Sequence, residues 1–196
     1  MNRMMVINKL IARHKYQSYL EIGCQADVAF RAIDVPLKVG VDPVSGGTVR
    51  MKSDQYFAST LQKFDLIFID GDHHHHQVYR DVVNALEHLA VGGTIVMHDC
   101  LPPDAHHESL TLCGTAWRAF FMTRTRPDLD SFTCDFDYGV GVVRLRPNPA
   151  PVTVAPYVGA LPIGAMDRLT YAQFVQNRKT WMRPHTFAEF ERAIEK

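Results

Sequence analysis

The sequence predicts an α/β protein: an open, mostly parallel sheet with helices on both faces, an antiparallel edge hairpin and a short C-terminal helical appendage. Three observations carry this expectation. Short apolar runs ending in polar residues alternate with segments of helical period, the pattern of βαβ units. Two runs, DLIFID (65–70) and TIVMHD (94–99), are almost continuously apolar, as strands buried on both faces are. Residues 131–147 then read as two strands around an Asp-Tyr-Gly turn, a hairpin at the sheet edge.

The elements follow in order. Residues 4–15 place Met4, Met5, Ile7, Leu10 and Ile11 at helical spacing. SYLEIGC (18–24) is a short strand closing on Gly23, and ADVAFRAI (26–33) reads as a helix stopped by Pro36. LKVGVDP (37–43) is a second strand, and GGTVRMKSD (46–54) reads as a weaker third. Residues 56–64 fit a helix before the strand at 65–70. QVYRDVVNALEHLA (77–90) puts Val78, Val82, Leu86 and Leu89 on one stripe, with Gly92-Gly93 as its stop. After the strand at 94–99 comes a polar, proline-containing excursion (101–114), then a helix over 115–125 whose Trp117, Phe120 and Phe121 read as core. Residues 147–165 hold five prolines and read as an extended linker. Two helices, 169–182 and 186–196, close the chain, the second opened by a Thr186/Glu189 capping box. The expected organisation is a body at 1–147 and an appendage at 148–196, whose aromatic residues pack on the body or on a second subunit of a homo-oligomer.

Composition narrows the function. Of 196 residues, 46% are apolar, enough for a core, and Lys+Arg balance Asp+Glu at 21 each. No basic field exists to attract nucleic acid or anionic lipid. No apolar run is long enough to span a bilayer. The four cysteines are far apart, which reads as reduced thiols in a cytoplasmic protein.

In an open parallel sheet, ligands sit beyond the carboxyl ends of the strands. Those ends carry Glu21 and Gly23, Asp42, Ser53-Asp54, Asp70-Gly71-Asp72-His73, and His98-Asp99. A carboxylate after the second strand, here Asp42, can accept hydrogen bonds from ribose hydroxyls. The first loop, EIGCQAD, is not G-x-G-x-x-G, and no G-K-[ST] follows. The expected ligand is therefore a nucleoside without phosphates.

YLEIGC, VGVDP, FDLIFIDGDHH and VGGTIVMHDC together resemble the class I S-adenosylmethionine-dependent methyltransferases, which share a Rossmann-like sheet. More narrowly they resemble the small-molecule O-methyltransferase branch with I-D-G-x-H and H-D at its strand ends. The likeness spans about residues 18–145. It implies that Glu21 and Gly23 frame the methionine part of the cofactor, Asp42 holds the ribose, Ser53 and Asp54 lie near the adenine, and Asp70 sits by the sulfonium. It also implies that Asp70, His98 and Asp99 bind a divalent ion such as Mg2+. Relatives usually have glycine where Gln25 or Asp27 stands. Asp27 brings negative charge near the cofactor's carboxylate unless its side chain turns away or pairs with the cofactor's ammonium group.

The residues leave two chemistries open at this rim. Asp70, His98 and Asp99 suit a 2+ ion. Alternatively His98 is a general base oriented by Asp70 or Asp99. Of the run His73–His76, His73 is expected in the cleft and the other three in solvent, because successive residues of a helix start diverge by about 100°. The reading is a methyltransferase acting on a hydroxyl of a small molecule, a sugar or secondary metabolite. The alternative keeps the scaffold, loses the cofactor loop, and makes the chain a ligand- or metal-binding protein or an enzyme of another class.

Overall fold

A computed structural model of the chain describes residues 1–153 and 162–195; the central part of the proline-rich stretch lies outside the described residues. The elements are α1 (Arg3–His14), β1 (Ser18–Ile22), α2 (Val28–Ala32), β2 (Leu37–Val41), α3 (Ser53–Ser59), β3 (Phe64–Ile69), α4 (His75–Glu87), β4 (Leu89–Met97), α5 (Ala116–Thr125), β5 (Leu129–Cys134), β6 (Val140–Leu145), α6 (Tyr171–Met182), β7 (Pro184–His185) and α7 (Phe187–Ile194). Short 3-10 turns run over Ala105–Glu108 and Ile163–Arg168.

The strands form one sheet in the order β2-β1-β3-β4-β6-β5-β7. Strands β1 to β4 are mutually parallel, and β6 runs antiparallel to both β4 and β5. This is the Rossmann-like sheet with its antiparallel hairpin. Alternate residues of the strands feed two cores. Leu20, Ile67, Ile69, Ile95 and Met97 join Phe57, Val82, Trp117, Phe120 and Phe121 on one face. Tyr19, Leu66, Phe68 and Val96 join Val6, Leu10, Phe30 and Phe190 on the other. Burial on both faces is why β3 and β4 are nearly continuously apolar.

The C-terminal segment contributes to both cores. Phe174 and Phe190 are fully buried, and Trp181 stacks on Phe121 with centroids 4.4 Å apart. Strand β7 pairs with β5, and Arg183 donates to Asp130 Oδ1 at 2.9 Å. The Thr186/Glu189 capping box is formed.

Three sequence expectations need correction. Residues 46–54 are not a strand; only an isolated bridge joins Val49 to Val41. Gly46 and Gly47, both at positive φ, turn the chain there, and Ser53 opens α3. The helix expected at 56–64 begins and ends earlier, at Ser53 and Ser59. Gly92-Gly93 does not stop α4, which ends at Glu87; both glycines lie inside β4. Gly93 is needed there because a Cβ would sit 2.7 Å from the Asp65 carbonyl oxygen.

Candidate active site

The sheet order reverses between β1 and β3, so the loops that follow them leave in opposite directions and open a crevice. A cleft of about 1170 Å³ lies there, lined by the loops after β1, β2, β3 and β4 and by the excursion at 107–113. Its floor is tight. Gly23 has φ +87, and a Cβ on it would stand 2.3 Å from the Asp70 carbonyl oxygen. Beside it, Glu21 is 1% exposed and accepts a short hydrogen bond from the Tyr19 hydroxyl. Burial outweighs that bond and raises Glu21 to about 7.

Beyond Gly23, the first loop keeps a glycine-type backbone at two residues that are not glycine. Gln25 and Asp27 have φ of 47 and 61. Asp27 points away from the cleft, its Oδ1 accepting from the Gly47 amide at 2.6 Å. The charge that would face a cofactor carboxylate is thereby directed into the neighbouring loop. Asp42 does more than the sequence suggests. Its Oδ2 accepts from the amides of Cys24 and Gln25 at 3.1 and 3.0 Å, and its Oδ1 from Val44 and Ser45 at 2.7 and 2.8 Å. Burial opposes ionisation, but these backbone donors prevail and lower its pKa. A carboxylate has about four lone-pair sites. Asp42 thus fastens two loops together, and ribose hydroxyls could reach it only by displacing backbone donors.

Ser53 and Asp54 line the same end of the cleft, but from the first turn of α3. Asp54 accepts from Arg80, Gln77 and Asn84 of α4 at 3.2 to 3.4 Å. Next to them is Asp81, 1% exposed, raised by burial to about 6 and hydrogen-bonded to Gln77. Sequence reading missed Asp81, which falls beside the apolar stripe of α4.

At the other end, Asp70, His98 and Asp99 converge. His98 Nδ1 lies 3.2 Å from Asp70 Oδ1 and 3.3 Å from Asp99 Oδ1; Nε2 lies 3.6 Å from Asp137 Oδ2. Burial disfavours the imidazolium, but Asp137, Asp70 and Asp99 outweigh it and raise the pKa to about 11. Arg3 completes the cluster. Its backbone amide donates to Asp137 at 2.7 Å, its Nη1 reaches Asp137 Oδ2 at 3.2 Å, and its Nε lies 3.5 Å from Asp70. With His98 protonated, its Nε2 and the Arg3 Nη1 3.2 Å away are both donors, and they share Asp137.

His98 has carboxylates at both ring nitrogens, a geometry that favours neither a free base nor an open metal ligand. His73 is the more accessible of the two rings, its side chain 24% exposed against 7% for His98. Its Nδ1 faces the Leu110 carbonyl at 3.2 Å and its Nε2 lies 3.4 Å from Asp99 Oδ2. Asp99 serves both histidines from a left-handed conformation, φ 60.

Because the folded pKa of His98 is above its unfolded value near 6.5, its contribution to stability is complete below about pH 6.5 and is lost as pH rises towards 11. Thermal unfolding of the wild type should therefore fall in this window more steeply than that of His98→Gln. Parallel curves would show that the imidazole is not held protonated.

The histidine run divides differently from the expectation of three solvent-facing residues. His74 caps α4. His75 is 2% exposed: its Nδ1 lies 2.9 Å from Thr115 Oγ1 and its Nε2 2.8 Å from Asp167 Oδ1. Burial lowers its pKa to about 4, although Asp167 opposes this. His76 Nε2 lies 2.8 Å from the same Asp167 oxygen. At the cleft mouth, His107 and Tyr138 stack with centroids 5.6 Å apart. Cys100 is fully buried and its thiol pKa is pushed well up by burial, as suits a filler.

Comparison with known proteins is consistent with this geometry. Residues 12–100 match the sequence model of a family described as a methyltransferase domain. No curated protein sequence matches the chain. Similar solved structures include an SAH-bound methyltransferase, PaMTH1, from Podospora anserina: TM-score 0.56, 17% identity, 74% of this chain and 80% of that one. Another is the O-methyltransferase TomG from Streptomyces achromogenes in complex with SAM: TM-score 0.51, 15% identity, 72% and 78% covered. Cofactor-bound Rv0187 from MTB gives TM-score 0.56 at 16% identity, with 76% and 82% covered. At these identities the likeness is one of fold.

Proposed function

We propose that this chain, whose residues 12–100 match a methyltransferase-domain family, transfers the methyl group of S-adenosylmethionine to a hydroxyl of a small molecule, a sugar or secondary metabolite. One observation carries the reading: a single cleft joins the tight Gly23 loop, closed on Asp70, to the partly exposed His73 imidazole, whose Nε2 lies 3.4 Å from Asp99. The cofactor's methionine part fits beside Glu21 and Gly23, and its nucleoside end lies towards Ser53, Asp54 and Asp81.

When bound, the cofactor would supply a methyl group on a positively charged sulfur. His73 would take the proton that the acceptor hydroxyl loses, and Asp99 would stabilise the resulting imidazolium. Alignment in the cleft supplies several kcal/mol, and a placed base about 10²–10⁴-fold. A divalent cation fits a variant of this site. Asp70, His73 and Asp99 offer donor atoms within 4.8 Å of one another, an oxygen-rich set suited to Mg2+ or Mn2+. His98 does not belong to that set. Such an ion would lower the acceptor hydroxyl's pKa.

The test is release of S-adenosylhomocysteine from S-adenosylmethionine with a panel of small polyols and phenols, with and without EDTA. Turnover that survives EDTA supports His73 as base. Turnover lost with EDTA and restored by Mg2+ supports the ion. The occupied lone pairs of Asp42 favour a second reading, a scaffold that binds a ligand without methyl transfer; protein that binds the cofactor and never releases product with any acceptor would support it.

A further inference from the structure

We propose that His75, His76 and Asp167 form a second site, outside the cleft, for a divalent first-row transition metal such as Zn2+. The two imidazoles come from the first turn of α4, and the carboxylate comes from the 3-10 turn at Ile163–Arg168, about ninety residues away in sequence. Both Nε2 atoms lie 2.8 Å from one oxygen, Asp167 Oδ1. All three donor atoms fall within 4.8 Å of one another. Two imidazole nitrogens and one carboxylate oxygen suit zinc-like ions better than Mg2+ or Ca2+, which prefer all-oxygen sets. Tetrahedral bonds of about 2.0–2.1 Å place ligand atoms about 3.3 Å apart, so each imidazole would move about half an ångström from its present 2.8 Å separation from Asp167.

The surroundings also fit a ligand site. The other nitrogen of His75 is held by Thr115 Oγ1 at 2.9 Å, which fixes the ring with Nε2 turned to Asp167. Hydrogen-bonded support of this kind is what orients metal-ligating histidines. Thr115 is itself anchored through its amide to the His73 carbonyl at 2.8 Å. Three-coordinate protein ligation with His76 and Asp167 partly exposed leaves a position for water. Occupancy would staple the segment after residue 162 to the helix that begins just beyond His73.

The test uses the full chain. Co2+ is titrated and followed by visible absorption, and Zn2+ by calorimetry in metal-free buffer. The expected result is one tight site that persists in Asp99→Ala and weakens at least tenfold in both His76→Ala and Asp167→Ala, whose exposed positions leave the fold intact. Zn2+ at a hundredfold excess over Kd should also raise the wild-type Tm by about 5–10 °C and leave that of Asp167→Ala unmoved. Asp167→Ala retains all four histidines. Undiminished binding in that variant would mean that the run captures metal as any oligohistidine does, and would overturn the proposal. So would loss of the site in Asp99→Ala, or absence of tight binding in the wild type.

Discussion

His73→Gln is expected to lower kcat for methyl transfer by about 10²–10⁴-fold, the contribution of a placed base, while the KM for the cofactor stays within a factor of two or three. The split follows from geometry. His73 is the more exposed ring of the cluster, at 24% against 7% for His98, and its Nε2 lies 3.4 Å from Asp99, which also meets His98. His98→Gln should act differently, through the arrangement of Asp70, Asp99 and Asp137 around it, and should cost stability together with activity. Steady-state kinetics on both variants, with Tm measured alongside, check this. An unchanged kcat in His73→Gln would remove the residue from the proton path.

Asp42→Ala is expected to destabilise the protein by about 2–4 kcal/mol and to abolish measurable cofactor binding. Four backbone amides lose a charged acceptor at once, and amides left partly buried without partners each cost on the order of 1 kcal/mol or more. The loop after β1 would lose its tie to the loop after β2. Because the Asp42 pKa is lowered in the folded state, its contribution is present above the unfolded value near 3.9 and is lost as pH falls through the depressed one. Urea unfolding at pH 7 and at pH 3 measures both claims: the wild-type advantage over Asp42→Ala should shrink at the lower pH. A stable Asp42→Ala protein with weakened binding would instead return Asp42 to the ribose.

The strands, their parallel order and the acid and histidine residues at their ends were legible because each depends on local periodicity. Asp70, His98 and Asp99 end adjacent strands, so their meeting follows from strand spacing of about 4.8 Å. The partners that decide their chemistry were not legible. Arg3 and Asp137 are separated by 134 residues, and nothing local marks either one. Asp137 enters through a hairpin turn in which it, Tyr138 and Gly139 all have positive φ. Without Asp137, His98 reads as a base or ligand; with it, the ring is enclosed. The burial of His75 was hidden for the same reason, since Thr115 and Asp167 arrive from distant segments. The false strand at 46–54 shows the opposite failure. Val49 and Met51 alternate as a strand requires, but Gly46 and Gly47 turn the chain and leave a single bridge.

The central claim is that the cleft between the Gly23 loop and Asp70 receives the cofactor. Calorimetric titration of the wild-type chain with S-adenosylhomocysteine tests it most directly, because it requires no knowledge of the acceptor. The expected result is one site per chain with Kd on the order of micromolar, about −8 kcal/mol, and no detectable binding by Gly23→Ala, whose Cβ would collide with the Asp70 carbonyl oxygen at 2.3 Å. Absence of heat with millimolar ligand and folded wild-type protein would contradict the account.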